Sequence, residues 1–351
     1  MTPRRIAYVV NCFPKLSQTF VENEVAELRR REIDFRLLSL RPTAEEPRHE
    51  IVTRAGLADR VHYDFGAFRS LLRSFRPQLV HAHFATEPTD VASALAGELR
   101  VPFTFTAHGY DVYRRPPADF GARAAAAAAV VTVSQANARH LEATYGVDPT
   151  RIVVLPCGVD TRCFSPGGRR AEPPLVVCVA RLVPVKNLRL LLEACRLLRD
   201  RGRDFRCVIV GDGRSRDELA ALRDRLRLRR VVDLVGPAPQ VEVLAWWRRA
   251  AAAALTSDSE GMPVSLMEAG ACGVPALATA VGGAPELVQD GVTGLLAAAG
   301  DVEAVAAGLE RFLGDARFAA RLGAAARRRI EERFSLERQV DGLVSLWSSV
   351  A

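Results

Sequence analysis

The sequence predicts an α/β protein of two doubly wound parallel-sheet domains, on three observations. Short β-branched apolar runs alternate with longer helical patterns along the chain. The runs are apolar nearly throughout, which is how strands covered on both faces read. One stretch, 164–174 (FSPGGRRAEPP), concentrates proline, glycine and charge between two such series, as a linker does. At 351 residues the chain has room for two ordinary domains. The boundaries are placed at 1–168 and 169–330, with a helical C-terminal segment, 331–351, expected to pack back on the first domain.

In the first half RIAYVVN, PQLVHAH, VPFTFTA and AVVTVS read as strands; PLVVCVA, RCVIVGD, VVDLVG, AAALTS and VPALAT follow in the second. FVENEVAELRRR, LRLLLEACRLLRDRG and RDELAALRDRLRL carry helical periodicity, and residues 317–351 read as helix. The alanine tract 124–129 reads as helix running up to a strand. Pro263 reads as the first residue of a helix, where its missing N–H costs nothing.

Composition is that of a globular protein, 49% hydrophobic and 25% charged, with mean hydropathy +0.04. A net charge of +7 admits an acidic metabolite or an anionic membrane surface as partner. The arginines are spread along the chain without interleaved aromatics, which argues against nucleic acid. Seven cysteines form no C-x-x-C pair and several sit in apolar runs, the pattern of buried thiols in a reducing compartment. The N-terminal apolar run is too short for a signal peptide, and nothing approaches the ~18 apolar residues of a membrane span. The expected location is cytoplasmic.

Open parallel sheets bind ligands outside the carboxyl ends of their strands. Here those ends lead into NCFPKLSQTF, HAHFA, AHGYD, RLVPVKN, GDG, GPAP and SDSEG, which hold three of the six histidines, four prolines and five glycines. Two sheets with facing carboxyl edges would pool these loops in one cleft. The chain has only two lysines, Lys15 and Lys186. A lysine kept at 186, beside Arg181 at a strand end, suits a phosphate oxygen met by a compact ammonium. Glu260 precedes the helix opened by Pro263 and Glu268 lies in its second turn, so neither occupies the usual dipole-complementing positions. Their neighbours are apolar, and a carboxylate accepts two hydroxyls well, as a sugar or ribose diol requires. The amides of Met262, Val264 and Ser265 would face an anion at that helix end. His108 follows a strand and has Asp111 nearby. His81 and His83 share a strand face with no third metal ligand apparent in the sequence, so no metal site is expected. GDG (211–213) is not G-x-G-x-x-G, which weighs against a dinucleotide enzyme.

With these residues in place, the chain resembles retaining glycosyltransferases of family 4, which have the two-domain GT-B fold, two Rossmann-like domains facing across a cleft. The resemblance spans nearly the whole length. Its most specific part is 257–296, whose Glu260 and Glu268 match the family's E-x7-E pattern. ARLVPVKNL matches the phosphate-binding arginine and lysine as Arg181 and Lys186, and LPCGVDTRCFSP resembles the segment before the linker. FPKLSQTFVENEVAEL and HAHFA are similar to the exopolysaccharide, colanic-acid-type branch. The resemblance implies a nucleotide-diphosphate sugar as donor and a glycan or lipid-linked acceptor, with no cofactor and no metal. It places Glu260 on the donor sugar, Glu268 on the ribose, Arg181 and Lys186 on the diphosphate, and Gly261, Met262 and Val264 in the phosphate cradle. His108 and the loop through Asp111 would face the anomeric carbon. The first strand departs from the common glycine pair, leaving Lys15, Ser17 and Gln18 to act there. Base recognition would fall near Gly236 and Pro237. Arg29, Arg30, Arg31, Arg69, Arg73 and Arg76 would supply any peripheral contact at the inner membrane face. The alternatives are a non-catalytic GT-B subunit supporting a partner enzyme, and a relative catalysing epimerisation or phosphorolysis.

Overall fold

The computed structural model describes residues 5–43 and 49–351. The chain divides into two compact units: residues 1–158 with 336–351, and residues 159–335.

In the first unit, β1 (Arg5–Cys12), β2 (Asp34–Arg41), β3 (Val61–His62), β4 (Leu79–His83), β5 (Phe103–Ala107), β6 (Ala129–Thr132) and β7 (Ile152–Val154) form one parallel sheet. Its order is β3-β2-β1-β4-β5-β6-β7. The helices are α1 (Thr19–Arg30), α2 (Glu50–Arg54), α3 (Phe65–Phe75), α4 (Glu87–Leu99), α5 (Phe120–Ala126) and α6 (Gln135–Tyr145). The alanine tract therefore splits, its start in α5 and its last residue opening β6.

In the second unit, β8 (Leu175–Val179), β9 (Arg206–Val210), β10 (Val232–Gly236), β11 (Ala252–Leu255), β12 (Ala276–Thr279) and β13 (Gly294–Ala297) pair in the order β10-β9-β8-β11-β12-β13. Between and after them run α7 (Leu188–Asp200), α8 (Arg216–Arg225), α9 (Gln240–Arg249), α10 (Val264–Ala271), α11 (Ala284–Leu287), α12 (Val302–Gly314) and α13 (Ala316–Arg333). α14 (Leu336–Val350) closes the chain, back in the first unit. Both sheets reverse direction of winding once, between β1 and β4 and between β8 and β11, and that switch point is where open α/β sheets bind ligands.

Periodicity explains the helices. α7 buries Leu188, Leu191, Leu192, Cys195 and Leu198 on one stripe, each leucine contributing about 2 kcal/mol. Side chains of Asp64, Ser134, Asp301 and Asp315 cap the N-termini of α3, α6, α12 and α13. Strands β2, β3, β7 and β13 stand outside the runs read as strands; β3, β7 and β13 are two to four residues long, and β2 sets arginine and aspartate between its buried residues because one face is half-exposed.

Unit limits follow packing more than composition. Residues 159–168 lie in the second unit, strapped there by Arg327 of α13, which donates to the carbonyls of Phe164 (2.6 Å) and Thr161 (3.1 Å). Leu336, Val340, Leu343 and Trp347 of α14 pack with Ile6, Tyr8, Leu79 and Val131 of the first sheet. Among the described residues no helix is long and apolar enough to cross a membrane. All seven cysteines are free, five of them buried.

Candidate functional site

The switch point of the second unit brings together the loops after β8 and β11. Lys186 Nζ lies 2.5 Å from Glu260 Oε1, and the two side chains are 17% and 8% exposed. Ser257 Oγ donates to the same carboxylate oxygen at 2.5 Å. The loops are laced around this pair: Asn187 Nδ2 donates to Asp258 Oδ1 (2.8 Å), the Asp258 amide to Val185 O (2.9 Å), and Thr256 Oγ1 to Asn187 O (3.1 Å). Gly282 has φ +51°, and a Cβ there would stand 1.8 Å from Glu260 O, so only glycine lets this loop close over the glutamate backbone.

Pro263 is the N-cap of α10 and not its first residue. Its carbonyl accepts from the amides of Leu266 (3.1 Å) and Met267 (3.4 Å). The Met267 bond is the first of the helix ladder and the Leu266 bond engages one of the donors a helix end leaves over; among the described residues none of the bonds outside helices and strands uses the amides of Gly261, Met262, Val264 or Ser265. Glu268, buried in the second turn of α10, accepts from Trp247 Nε1 of α9 at 3.4 Å. Burial pushes its carboxyl up to about 7, against the hydrogen bonds from Trp247 and Gln240. Arg181 is exposed just past β8. The GDG turn holds its backbone: Leu182 donates to Asp212 O (2.9 Å), and a Cβ on Gly213 (φ +155°) would meet Leu182 O at 2.4 Å. Gly236 accepts from the Gly211 amide at 2.7 Å, while Pro237 is exposed.

The first unit's switch point is built differently. His83, ending β4, sits beside His108, which follows β5: His83 Nδ1 to His108 Nε2 is 3.2 Å, and the rings stack at 5.4 Å. On its other side His83 Nε2 is 3.1 Å from Glu24 Oε1, on α1. Tyr8 OH donates to Glu24 Oε1 (3.0 Å) and Gln339 Nε2 to Glu24 Oε2 (2.7 Å). Burial and the neighbouring His83 push His108 well below the ordinary imidazole range. A cavity no larger than about one water is lined here by Glu24, His83, His108, Cys157 and Gln339. Glu24 is thus the third ligand-type residue beside His81 and His83, all three offering atoms within 4.8 Å of one another. The ring nitrogens of His81 are already engaged by Thr104 Oγ1 (2.8 Å) and Thr106 Oγ1 (3.1 Å), so a cation would have to displace those bonds.

Asp111 is not presented to a ligand. It is wholly buried, its carboxylate accepting from the amides of Ala85 (2.6 Å) and His108 (2.9 Å), and it fixes the two histidine loops to each other. Burial pushes it up to about 7 despite those bonds. The Lys15 amide donates to Glu22 (3.0 Å), with Lys15 half-buried and Ser17 exposed on the turn before α1. Several basic residues expected to meet a membrane are tied internally. Arg30 and Arg31 pair with Glu27, Arg31 also with Asp341 (2.5 Å), Arg69 with Glu98 (2.6 Å), and Arg29 donates to Gly56 O (2.6 Å).

Sequence reasoning missed Ser257, Trp247, Tyr8, Glu24 and Gln339. Ser257 was readable as the hydroxyl three residues before Glu260. Glu24 had one signal, a charge among the apolar positions of α1, whose buried residues also include Val21, Val25 and Leu28.

Residues 17–162 match the family described as Glycosyltransferase Family 4, and residues 161–329 that described as Glycosyl transferases group 1. The D-inositol 3-phosphate glycosyltransferase of Frankia alni is 33% identical over 279 residues, covering 71% of this chain and 68% of that one. The amylovoran biosynthesis glycosyltransferase AmsK of Erwinia amylovora is 28% identical, covering 88% and 90%. Other relatives are matched over about half their length. Among solved structures, Anabaena HepE in complex with UDP-glucose superposes with a TM-score of 0.80 over 98% of this chain and 99% of that one, at 18% identity.

Proposed function

Because the chain belongs to family 4 of the glycosyltransferases and has their GT-B fold, we propose that it moves a sugar, with retention, from a nucleotide-diphosphate donor to a glycan or lipid-linked acceptor in polysaccharide biosynthesis. The observation that carries this reading is the Lys186–Glu260 pair, held by Ser257 where β8 and β11 diverge. Lys186 has three N–H bonds; one holds Glu260 and the others reach donor phosphate oxygens. With Arg181 and the amides of Gly261, Met262 and Val264, it stabilises the diphosphate as charge accumulates on it. That interaction strengthens in the transition state and so accelerates departure. This positive set takes the part a divalent cation would otherwise play. Glu260 then keeps an oxygen for sugar hydroxyls, and Glu268 takes the ribose. HepE's complex with UDP-glucose and AmsK's part in amylovoran biosynthesis support the donor and pathway classes.

In the chemistry this assigns, the anomeric carbon–phosphate oxygen bond breaks as the acceptor hydroxyl oxygen bonds to that carbon on the same face. The hydroxyl proton passes to the departing phosphate oxygen. His108 and the turn of Lys15 and Ser17 belong to the acceptor side.

The test is thermal stability against UDP, GDP, ADP, CMP and their sugar conjugates with EDTA present, followed by transfer assays. A ligand at a hundred times its Kd adds about 2.7 kcal/mol to the folded state. Glu260→Ala is expected to keep the nucleoside-diphosphate shift and lose transfer by about a hundredfold or more. Stabilisation by none of the nucleotides, or transfer surviving in Glu260→Ala, overturns the reading.

A further inference from the structure

The hydrogen-bond chain behind His108 has a direction, and it starts at a backbone group that cannot reverse. The Gly158 amide donates to Gln339 Oε1 at 2.6 Å. A backbone N–H is only a donor, so that side of the Gln339 amide is its oxygen and the other side is its NH2. The NH2 faces Glu24 Oε2, which must accept. Tyr8 supplies a second donor to the same carboxylate, and burial with the charge of Glu24 holds its phenol well above the usual range, so it stays protonated. Glu24 therefore presents an acceptor to His83 Nε2. As a neutral imidazole His83 carries its proton there, and its Nδ1 is left to accept from His108 Nε2.

We infer that Glu24 and His83 are positioning residues that fix His108 as the Nε2–H tautomer, so that its Nδ1 carries a lone pair as the ring's remaining polar atom. Phe20 and Phe84 wall the ring at 4.5 and 4.7 Å between centroids, and His108 is 7% exposed, so bulk water does not compete for the tautomer. Such a ring accepts a hydrogen bond from a hydroxyl. The opposite tautomer donates one. The inference rests on the reading of His108 as a site residue given above, and it adds the two residues that decide what His108 can do. The same logic of a carboxylate setting a histidine tautomer governs serine-protease triads, where the amide replacement of the carboxylate lowers kcat by about 10⁴ through the wrong tautomer.

Glu24→Gln tests it. Gln339 still offers NH2 toward position 24, so the new amide turns its oxygen to Gln339 and its NH2 to His83. His83 must then accept at Nε2 and carry its proton on Nδ1, which donates to His108 Nε2 and drives the His108 proton to Nδ1. The readout is the ¹⁵N shifts of the His108 ring, assigned with His108→Gln. Wild type is expected to show Nε2–H and Glu24→Gln to show Nδ1–H. Transfer turnover should fall about a hundredfold, with donor KM within about twofold. In the double variant Glu24→Gln/Gln339→Glu a carboxylate oxygen faces position 24, so the amide there turns its NH2 to it and its oxygen back to His83, and both tautomer and turnover recover. A purely structural role predicts no such recovery. An Nδ1–H ring in wild type overturns the inference without any variant, so a Glu24→Gln chain that fails to fold does not shelter it. An unchanged tautomer in folded Glu24→Gln also overturns it, and leaves the transferase reading intact. An inverted tautomer with full turnover overturns instead the place of His108 in the reaction.

Discussion

The two units share one strand order but use their switch points in opposite ways. In the first, the ends of β4 and β5 carry histidines sealed against α1 and α14, where polar atoms satisfy one another and the protons are ordered. In the second, the loops after β8 and β11 carry a largely buried ion pair that keeps an edge to solvent, closed in by a glycine loop and opening on a helix N-terminus. One topology thus supports a sealed network that sets the state of a side chain and an open one that offers charge. The topology says where chemistry sits; burial decides which kind it is.

The largest effect that tests this contrast is expected at the ion pair. Lys186→Met leaves Glu260, 8% exposed, without its cation, and removing one partner of such a pair costs about 3–5 kcal/mol. Urea unfolding should show that loss, with most of it recovered in Lys186→Met/Glu260→Gln, while transfer stays absent in both. Full stability in Lys186→Met would mean that the pair is solvated, and the second unit no more than a surface site.

Next in size is a pH effect with one representative in each unit. Glu268 and Asp111 are both raised to about 7 by burial. A carboxyl raised above its unfolded value contributes stability that is complete below the unfolded pKa and lost as pH rises through the folded one. From about pH 4.5 to about pH 7, wild type should therefore lose about 3 kcal/mol relative to either Glu268→Gln or Asp111→Asn. Asp111→Asn is also weaker throughout, since an amide oxygen accepts only in place of a two-oxygen carboxylate and one backbone amide loses its partner. Unfolding curves from about pH 4.5 to about pH 8 check both. A pH-independent difference for either would mean that its carboxyl is hydrated in solution.

The contrast also governs what the sequence disclosed. The second unit's site was legible because its chemistry is local: Glu260, Gly261, Pro263 and Glu268 lie within one loop and helix, and Arg181 and Lys186 within another. Lys186 and Glu260 lie in the loops after β8 and β11, and Glu268 in the second turn of α10. Their direct pairing was not legible, since which of two loops' charges meet depends on how the loops cross. Apolar runs exposed nine strands but not β2, whose half-exposed face breaks the run. The first unit's network was mostly hidden. Tyr8, Glu24, His83, His108 and Gln339 come from five elements spread over the chain, and no spacing links a glutamine in the last helix to a histidine after β5. Asp111 shows the converse error: a carboxylate beside a histidine read as a contact, when two backbone amides already claimed both its oxygens.

The smallest predicted effect is the sharpest comparison, because it removes the same thing from each unit: one hydroxyl donating to one glutamate. Tyr8→Phe deletes a donor to Glu24 where the phenol is fully buried and the adjoining cavity has room for about one water. Ser257→Ala deletes a donor to Glu260, which keeps Lys186 on the same oxygen and touches solvent. An acceptor left short inside a sealed site costs about 1–3 kcal/mol, and one that water or an existing cation can serve costs less. Tyr8→Phe should therefore lose about 2 kcal/mol of stability and Ser257→Ala about 0.5–1 kcal/mol, read from denaturant midpoints at constant slope. Transfer rates should rank the other way. Ser257 orients the glutamate assigned to the sugar, whereas Glu24 retains Gln339 and His83 in Tyr8→Phe and still presents an acceptor to the imidazole. Equal stability losses would show that the two switch points are equally wet. A larger rate loss in Tyr8→Phe than in Ser257→Ala would move the sensitive glutamate from the second unit to the first.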